Sequence, residues 1–394
     1  MKNVLHTSDV IYIAAADSSE QDRALADYVC TGDNDQDVIQ NAVDLIYEPV
    51  CGEIRGRRIL LLPGHYYITA FPRRNENGRV AVMMRTGTNS FSHIAILIAG
   101  SEHTESTVIH VTKTAYDSVA DEESCSVFGC EASNWNHHVF KDLYVTVHDD
   151  QKNIVCFDGR SMGSIGLRRC KCLCDTRGNY NLVKNPLPVE GFVAFMGTYG
   201  SNNMWEETWE FCQAEGFGQG FAVGNEHLLL HKCAALFGRY GFTFNNYPSK
   251  GTVAHPMTLL NCIDEANANL WKFAGNVCKQ CINAYNTSFE LMPHWFALGG
   301  RHAEEVHPGD YYGSIDYVIN HGYATENDPS CPLWEHGSGI NFRSVNHIQK
   351  PICSKAERHT YAPNLGQEVF DTNLNKKLIY TENGWFDMLG NPVE

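Results

Sequence analysis

The sequence predicts an all-β fold in which short parallel strands wind as a solenoid. Three observations carry this. A phrase ending in cysteine recurs along the chain, short strand-like runs follow each recurrence with Gly and Asn between them, and 394 residues with 43% hydrophobic content suffice to bury a continuous core.

The phrase is an apolar residue, two variable ones, then cysteine: Leu167 to Cys170, Trp209 to Cys212, Leu230 to Cys233, Leu259 to Cys262, and Cys278 to Cys281. The cysteine intervals are 42, 21, 29 and 19 residues, which suits a basic turn of about twenty residues with loop insertions. After these cysteines come GFAVG, GFTFNN, LWKFAG and SFELM. In a parallel coil equivalent residues stack about 4.8 Å apart, so the cysteines read as one interior ladder of small apolar thiols. Zinc is the competing reading, but Cys278 and Cys281 form one CxxC pair without a clear second, and four converging ligands are needed.

A solenoid leaves its first coil open and needs a cover. The segment DNDQDVIQNAVD (33–44) has acids at positions 1, 3, 5 and 12, near the spacing of a calcium loop. Val38 stands where calcium loops place glycine, and Asp44 where they place the longer glutamate. Val38, Ile39, Ala42, Leu45 and Ile46 recur at helical spacing, and Asp33 with Gln36, or Asp35 alone, can cap the first free amides. An amphipathic capping helix is therefore expected before the strand-like runs RRILLLPGHYYI, VAVMM, HIAILIAG and STVIHV. The VIYIAAA run near the start reads as a strand. The expected organisation is an N-terminal strand and capping helix over 1–57, the coil over 58–350, and a C-terminal β module over 351–394.

The formal charge of −16 argues against nucleic acid or an anionic membrane as partner, since both reward clustered Lys and Arg. No run approaches the roughly 18 apolar residues of a spanning helix, and the start lacks the design of a signal peptide. Fifteen cysteines, an odd number in a long chain, suit reduced buried thiols and folding in a cytoplasm. Residence on a virion or cell surface remains compatible with that.

The stretch from Ala26 through Asp35, followed by the helix and LLLPGHYYI, resembles the opening of the pectate-lyase-like right-handed parallel β-helix proteins. The likeness covers about residues 8 to 70 closely and extends to about 350 in coil rhythm. Pro363 through Tyr380, with Gly384-Trp385-Phe386-Asp387, is similar to a short module that ends many phage tail-fibre and tailspike chains. There it implies a strand, a turn at TNLNKK and a second strand, serving as a plug over the last coil or an oligomer clasp. The resemblance implies a homotrimer and a carbohydrate partner. Its superfamily holds lyases, hydrolases, epimerases, intramolecular fructosyl transferases and inactive adhesins, so it leaves the activity open.

Long faces of such coils suit extended glycans, with aromatic side chains stacking on sugars and carboxylates doing acid–base work. The segment 203–215 is rich in both, and supplies Glu207, Glu210 and Glu215 as candidate catalytic acids with Trp205 and Trp209 as candidate sugar platforms. On the cysteine register Glu207 shares a mostly apolar row with Ile165, Leu228, Met257 and Asn276, which predicts a partly desolvated acid with a raised pKa, whereas a slip of one residue would turn it to solvent. Two positions after the ladder cysteine come Cys172, Ala214, Ala235, Asp264 and Asn283, which makes Asp264 a similar exception. Glu215 and Glu265 both fall three after their cysteines, two coils or roughly 10 Å apart, near the upper end of the spacing of an inverting pair. A lyase would want a base near a uronate, for which His231, Lys232, Arg239 and Tyr240 are the candidates. The segment 293–312, with His294 and Trp295, interrupts the rhythm and is read either as a glycan-binding loop or as inter-subunit packing. It has no metal-ligand spacing such as HExxH, and no cofactor or metal is expected.

The expected function is therefore a carbohydrate-active enzyme that cleaves or rearranges glycosidic bonds. The alternatives are a non-catalytic glycan-binding adhesin, a polysaccharide lyase and an intramolecular fructosyl transferase.

Overall fold

A computed structural model describes residues 10–46, 58–85, 95–101, 104–132, 137–148, 151–175, 186–197, 207–223, 228–245, 256–274, 281–290, 296–298, 313–320, 341–345, 352–353, 355 and 368–393. These residues form a parallel β-helix, with three strands to each turn.

The first ladder stacks Val10–Ala14, Arg58–Leu61, Ala95–Ala99, His137–Lys141, Ser164–Arg168, Glu207–Glu210, Leu228–His231, Pro256–Leu260 and the first half of Cys281–Glu290. The second stacks Gly64–Ile68, Thr107–Val111, Tyr144–Val147, Lys171–Cys174, Gln213–Glu215, Ala234–Leu236, Ile263–Glu265 and the second half of Cys281–Glu290. The third runs Gly78–Met84, Cys125–Cys130, Ile154–Asp158, Val193–Met196, Gln219–Val223, Tyr240–Asn245, Asn269–Ala274 and Phe296–Leu298. Parallel stacking ends where Gly313–Asn320 pairs antiparallel with Cys281–Glu290.

The bend between the first and second ladders explains the cysteines. In successive coils one residue takes a left-handed conformation: Asp142, Arg169, Phe211, Lys232, Asn261 and Asn286, with φ between 47° and 56°. The next residue turns inward, giving the row Leu143, Cys170, Cys212, Cys233, Cys262 and Thr287, all buried. The thiols of Cys170 and Cys212 donate to the carbonyls two residues back, Arg168 (3.7 Å) and Glu210 (3.5 Å), while Cys233 and Cys262 lie nearer the carbonyls of the preceding coil, Trp209 (3.3 Å) and Leu230 (3.5 Å), than those of His231 (3.8 Å) and Leu260 (3.7 Å). The Thr287 hydroxyl donates to the carbonyl two residues back, Tyr285 (3.5 Å). Thr287 is thus the next rung, and the expectation of Cys281 there is corrected: Cys281 pairs with Pro256 at the start of its strand. The row runs from Leu143 through the cysteines to Thr287, so the bend does not require sulfur. Burial holds the thiols of Cys172, Cys212 and Cys262 protonated, well above the ordinary thiol range.

The third ladder faces inward with a second column. Phe128, Phe157, Phe195, Phe221 and Phe242 are register partners, and their rings stack at centroid separations of 5.3, 5.5, 5.0 and 5.1 Å. A parallel register places like residues over like, so offset stacking adds about 0.5–1.5 kcal/mol per pair to the burial.

The helix Asp35–Ile46 covers the first coil, burying Ile39, Ala42, Val43 and Ile46. Its polar side chains act as a substitute strand. The Gln40 amide donates to Met83 O (2.9 Å) and accepts from Met83 N (2.7 Å), and Gln36 Oε1 accepts from Thr69 N (3.1 Å). Asp35 is buried and accepts from the backbone amides of Thr31, Gly32 and Tyr67. Asp37 pairs with Arg73 and Asp44 with Arg85. Asp35, Asp37 and Asp44 are therefore engaged separately, each by different residues.

At the C-terminal end Glu368–Asp371, Lys376–Thr381 and Gly384–Asp387 form an antiparallel meander, joined in parallel by Ile352–Cys353. Val369, Leu378 and Trp385 make its small core. Among the described residues no helix is long and apolar enough to cross a membrane.

Candidate functional site

Along a strand of this coil alternate residues face in and out, so the register decides which candidates reach solvent. On the second ladder one outward row reads Tyr67, His110, Thr146, Leu173, Glu215, Leu236 and Glu265. Glu215 and Glu265 stand two rungs apart with Leu236 between them, a backbone separation of about 10 Å. Glu290 is the next rung after Glu265.

The first ladder adds a neighbouring outward row, Lys141, Arg168, Glu210 and His231. Glu210 lies between its two neighbours, with Arg168 Nε 3.6 Å from one oxygen and His231 Nδ1 3.5 Å from the other. At the bend beside them Phe211 is exposed, its ring under the Lys232 ammonium (5.3 Å) and near the His231 ring (5.7 Å). Glu210, Glu215, Glu265 and His231 are thus brought to adjoining outward rows over successive coils. Tyr144, on the same ladder as Glu215, has its phenol pushed up to about 12 by burial and by nearby carboxylates, Glu215 first among them.

Other candidates go elsewhere. Trp209 is fully buried, with Nε1 donating to Ile165 O (2.8 Å) and its ring beside Phe195 and Phe221. Its indole belongs to the core, because the position three before the inward cysteine, held in the other coils by Leu167, Leu230 and Leu259, is itself inward. Asp264 stands two after its cysteine, on the inward row of Cys172, Ala214 and Ala235, and lies inside the coil next to Ala235. Asn267 Nδ2 donates to one carboxyl oxygen (2.7 Å), while the other has no hydrogen-bond partner. Burial pushes this carboxyl well above the ordinary carboxylate range, so it is a neutral interior acid. Arg239 and Tyr240 sit at the start of a third-ladder strand, away from the carboxylate rows, and Tyr240 is buried with its hydroxyl 3.5 Å from Glu190. Glu207 pairs in register with the buried Leu228. Trp205, His294 and Trp295 lie outside the described residues.

A cluster that sequence reasoning missed lies on the earlier coils. His65 Nδ1 is 2.7 Å from His110 Nε2, His110 Nδ1 is 2.7 Å from Thr146 Oγ1, and His65 Nε2 is 3.9 Å from Asp17. Asp17 also accepts from the His65 backbone amide (2.8 Å). The rings of Tyr67 and His110 lie at 5.2 Å, and His148 pairs with Asp175 at 2.8 Å. Burial and the neighbouring His65 hold His110 below the ordinary histidine range, against the pull of Asp175 and Asp17. The four residues of the chain come from four separate segments, so no local spacing could announce them.

No family model matches the chain, and no curated protein matches it. Among solved structures it is similar to ORF18 of Geobacillus virus E2, over 89% of this chain and 82% of that one, at 10% identity and a TM-score of 0.23. The fold therefore rests on the strand register itself.

Proposed function

We propose that this protein is a carbohydrate-active enzyme which binds an extended glycan along the outward rows of the first and second ladders and cleaves a glycosidic bond there. The observation that carries the reading is the register of Glu215 and Glu265, two half-buried acids facing the same way two rungs apart. About 10 Å between backbones leaves room for a water between the carboxyl groups, which suits inversion better than retention. Phe211 and His231 offer flat surfaces beside the acids for a sugar ring. The trimer and the affinity with tailspike-like and pectate-lyase-like proteins belong to the same proposal, and sedimentation of the full chain measures the first.

A second reading, a glycan-binding adhesin without turnover, is favoured by the state of Glu210. Held between Arg168 and His231, that carboxylate is a rigid polar contact rather than a free acid. Reducing-end release from a panel of polysaccharides, with Glu215→Gln and Glu265→Gln alongside, distinguishes cleavage from binding. Ultraviolet absorbance of an unsaturated uronide would move the assignment to a lyase.

A further inference from the structure

Two arrangements of protons satisfy the two short contacts of the His65, His110 and Thr146 chain with both imidazoles neutral: both rings donate toward Thr146, or both donate toward the Asp17 side. The Asp17 carboxylate, 3.9 Å from His65 Nε2 and beyond hydrogen-bond distance, favours the second by its charge, so that His65 carries its proton on Nε2 and presents a lone pair on Nδ1. That nitrogen must then accept from Nε2–H of His110, which leaves the lone pair of His110 Nδ1 for the Thr146 hydroxyl. The two imidazole planes differ by 14° and their centroids are 5.0 Å apart. With the nitrogens 2.7 Å apart, the rings meet edge to edge, as a shared N–H···N bond requires. A hydroxyl hydrogen-bonded to a neutral imidazole that is itself oriented by a further base is the arrangement that activates a nucleophile.

Position adds a second argument. Thr146 lies in the same outward row as Glu215, two rungs before it with Leu173 between. His148, two residues further along the chain, is held by Asp175 at 2.8 Å.

We infer that Thr146 is the nucleophile of a second, acyl-transfer site, which hydrolyses a small O-acyl ester such as an acetyl group on a sugar hydroxyl. Thr146 Oγ1 attacks the carbonyl carbon while its proton passes to His110 Nδ1, and the carbonyl oxygen takes up the negative charge of the adduct. Collapse of the adduct breaks the bond to the sugar oxygen, which takes the proton from His110. Water, deprotonated by His110, then attacks the threonyl ester, releasing the carboxylic acid and restoring the hydroxyl. Only water is consumed. An outward ladder presents shallow rows rather than a deep acyl tunnel, so the acyl group is small. The inference does not depend on glycosidic cleavage, since acetate release makes no use of Glu215 or Glu265.

The test uses the full chain with p-nitrophenyl acetate and an O-acetylated xylo-oligosaccharide, comparing wild type with Thr146→Ala, Thr146→Ser and His110→Asn. Intact-mass and peptide mass spectrometry of acid-quenched samples locate the acyl group. Wild type and Thr146→Ser are expected to release acetate and to carry one acetyl group on residue 146. Thr146→Ala and His110→Asn are expected to lose activity by roughly 100-fold or more, with unchanged circular dichroism. Hydrolysis by Thr146→Ala at the wild-type rate, an adduct elsewhere, or no acetate release by folded wild type would overturn the inference.

Discussion

Asp264 and Gly241 face each other across the interior of the coil at a distance that admits no side chain on the glycine. A β-carbon on Gly241 would lie 2.2 Å from Asp264 Oδ2 and 2.6 Å from Oδ1. The acid occupies a row otherwise filled by Cys172, Ala214 and Ala235, and Asn267 ties it to the neighbouring coil through Ala235 O (2.9 Å) and Gly238 N (2.6 Å).

Gly241→Ala must displace the buried carboxyl and should destabilise the fold by about 1–3 kcal/mol, read as a lower denaturant midpoint with an unchanged slope. Equal midpoints for mutant and wild type would mean that the two residues are not opposed.

Asp264→Asn should stabilise the protein at neutral pH. The folded-state pKa of Asp264 is raised, so between the unfolded value near 3.8 and the folded value the native state binds the extra proton. Stability then falls as pH rises through that window, by up to about 1.4 kcal/mol per pH unit, and the asparagine escapes this loss. Melting temperatures of the two proteins should converge near pH 4 and separate as pH rises; parallel curves would contradict a neutral interior acid.

The bend between the first two ladders accepts a hydroxyl where its neighbours carry a thiol, while a cysteine with filled rungs on both sides leaves no room for an aromatic ring. Thr287 already takes the place of a cysteine, so Cys262→Thr should cost less than about 1.5 kcal/mol, whereas Cys233→Phe, with buried rungs on both sides, should fail to give soluble folded protein. Thermal unfolding measures the first and soluble yield the second.

How much of this was legible follows from periodicity. Cys170, Cys212, Cys233 and Cys262 announced a coil because a parallel register repeats one environment on every turn. The helix over Asp35–Ile46 announced itself by its apolar stripe. Register within the strands was legible only as far as the cysteine phrase held, so the outward placement of Glu215 and Glu265 was readable, while Cys281 was mistaken for a rung. The rows of Trp209 and Asp264 were legible too, but their inward direction depends on the left-handed residue before each cysteine. The Phe128 to Phe242 column hid because its spacing varies with the loops, and the His65–His110 contact because it joins residues 45 apart.

The aromatic column should behave as one unit. Phe195→Ala removes a ring stacked on both Phe157 and Phe221 and should cost about 3–5 kcal/mol, measured by chemical denaturation. A cost below about 1 kcal/mol would show that the column contributes little.

Acetyl hydrolysis should depend on pH through His110. The reaction needs the neutral imidazole, and burial together with His65 holds the pKa of His110 below its ordinary 6.5. The rate should therefore rise with pH and reach its plateau before neutrality. A pH–rate midpoint at or above 6.5 would assign the base to another group.

The central claim, glycan cleavage by the Glu215 and Glu265 row, is tested most directly by reducing-end release from a polysaccharide panel with wild type, Glu215→Gln and Glu265→Gln. The account predicts release from at least one polysaccharide by wild type and a loss of roughly 100-fold or more in each variant, with glycan binding retained. Undiminished release by both variants, or binding without release by wild type, would contradict it.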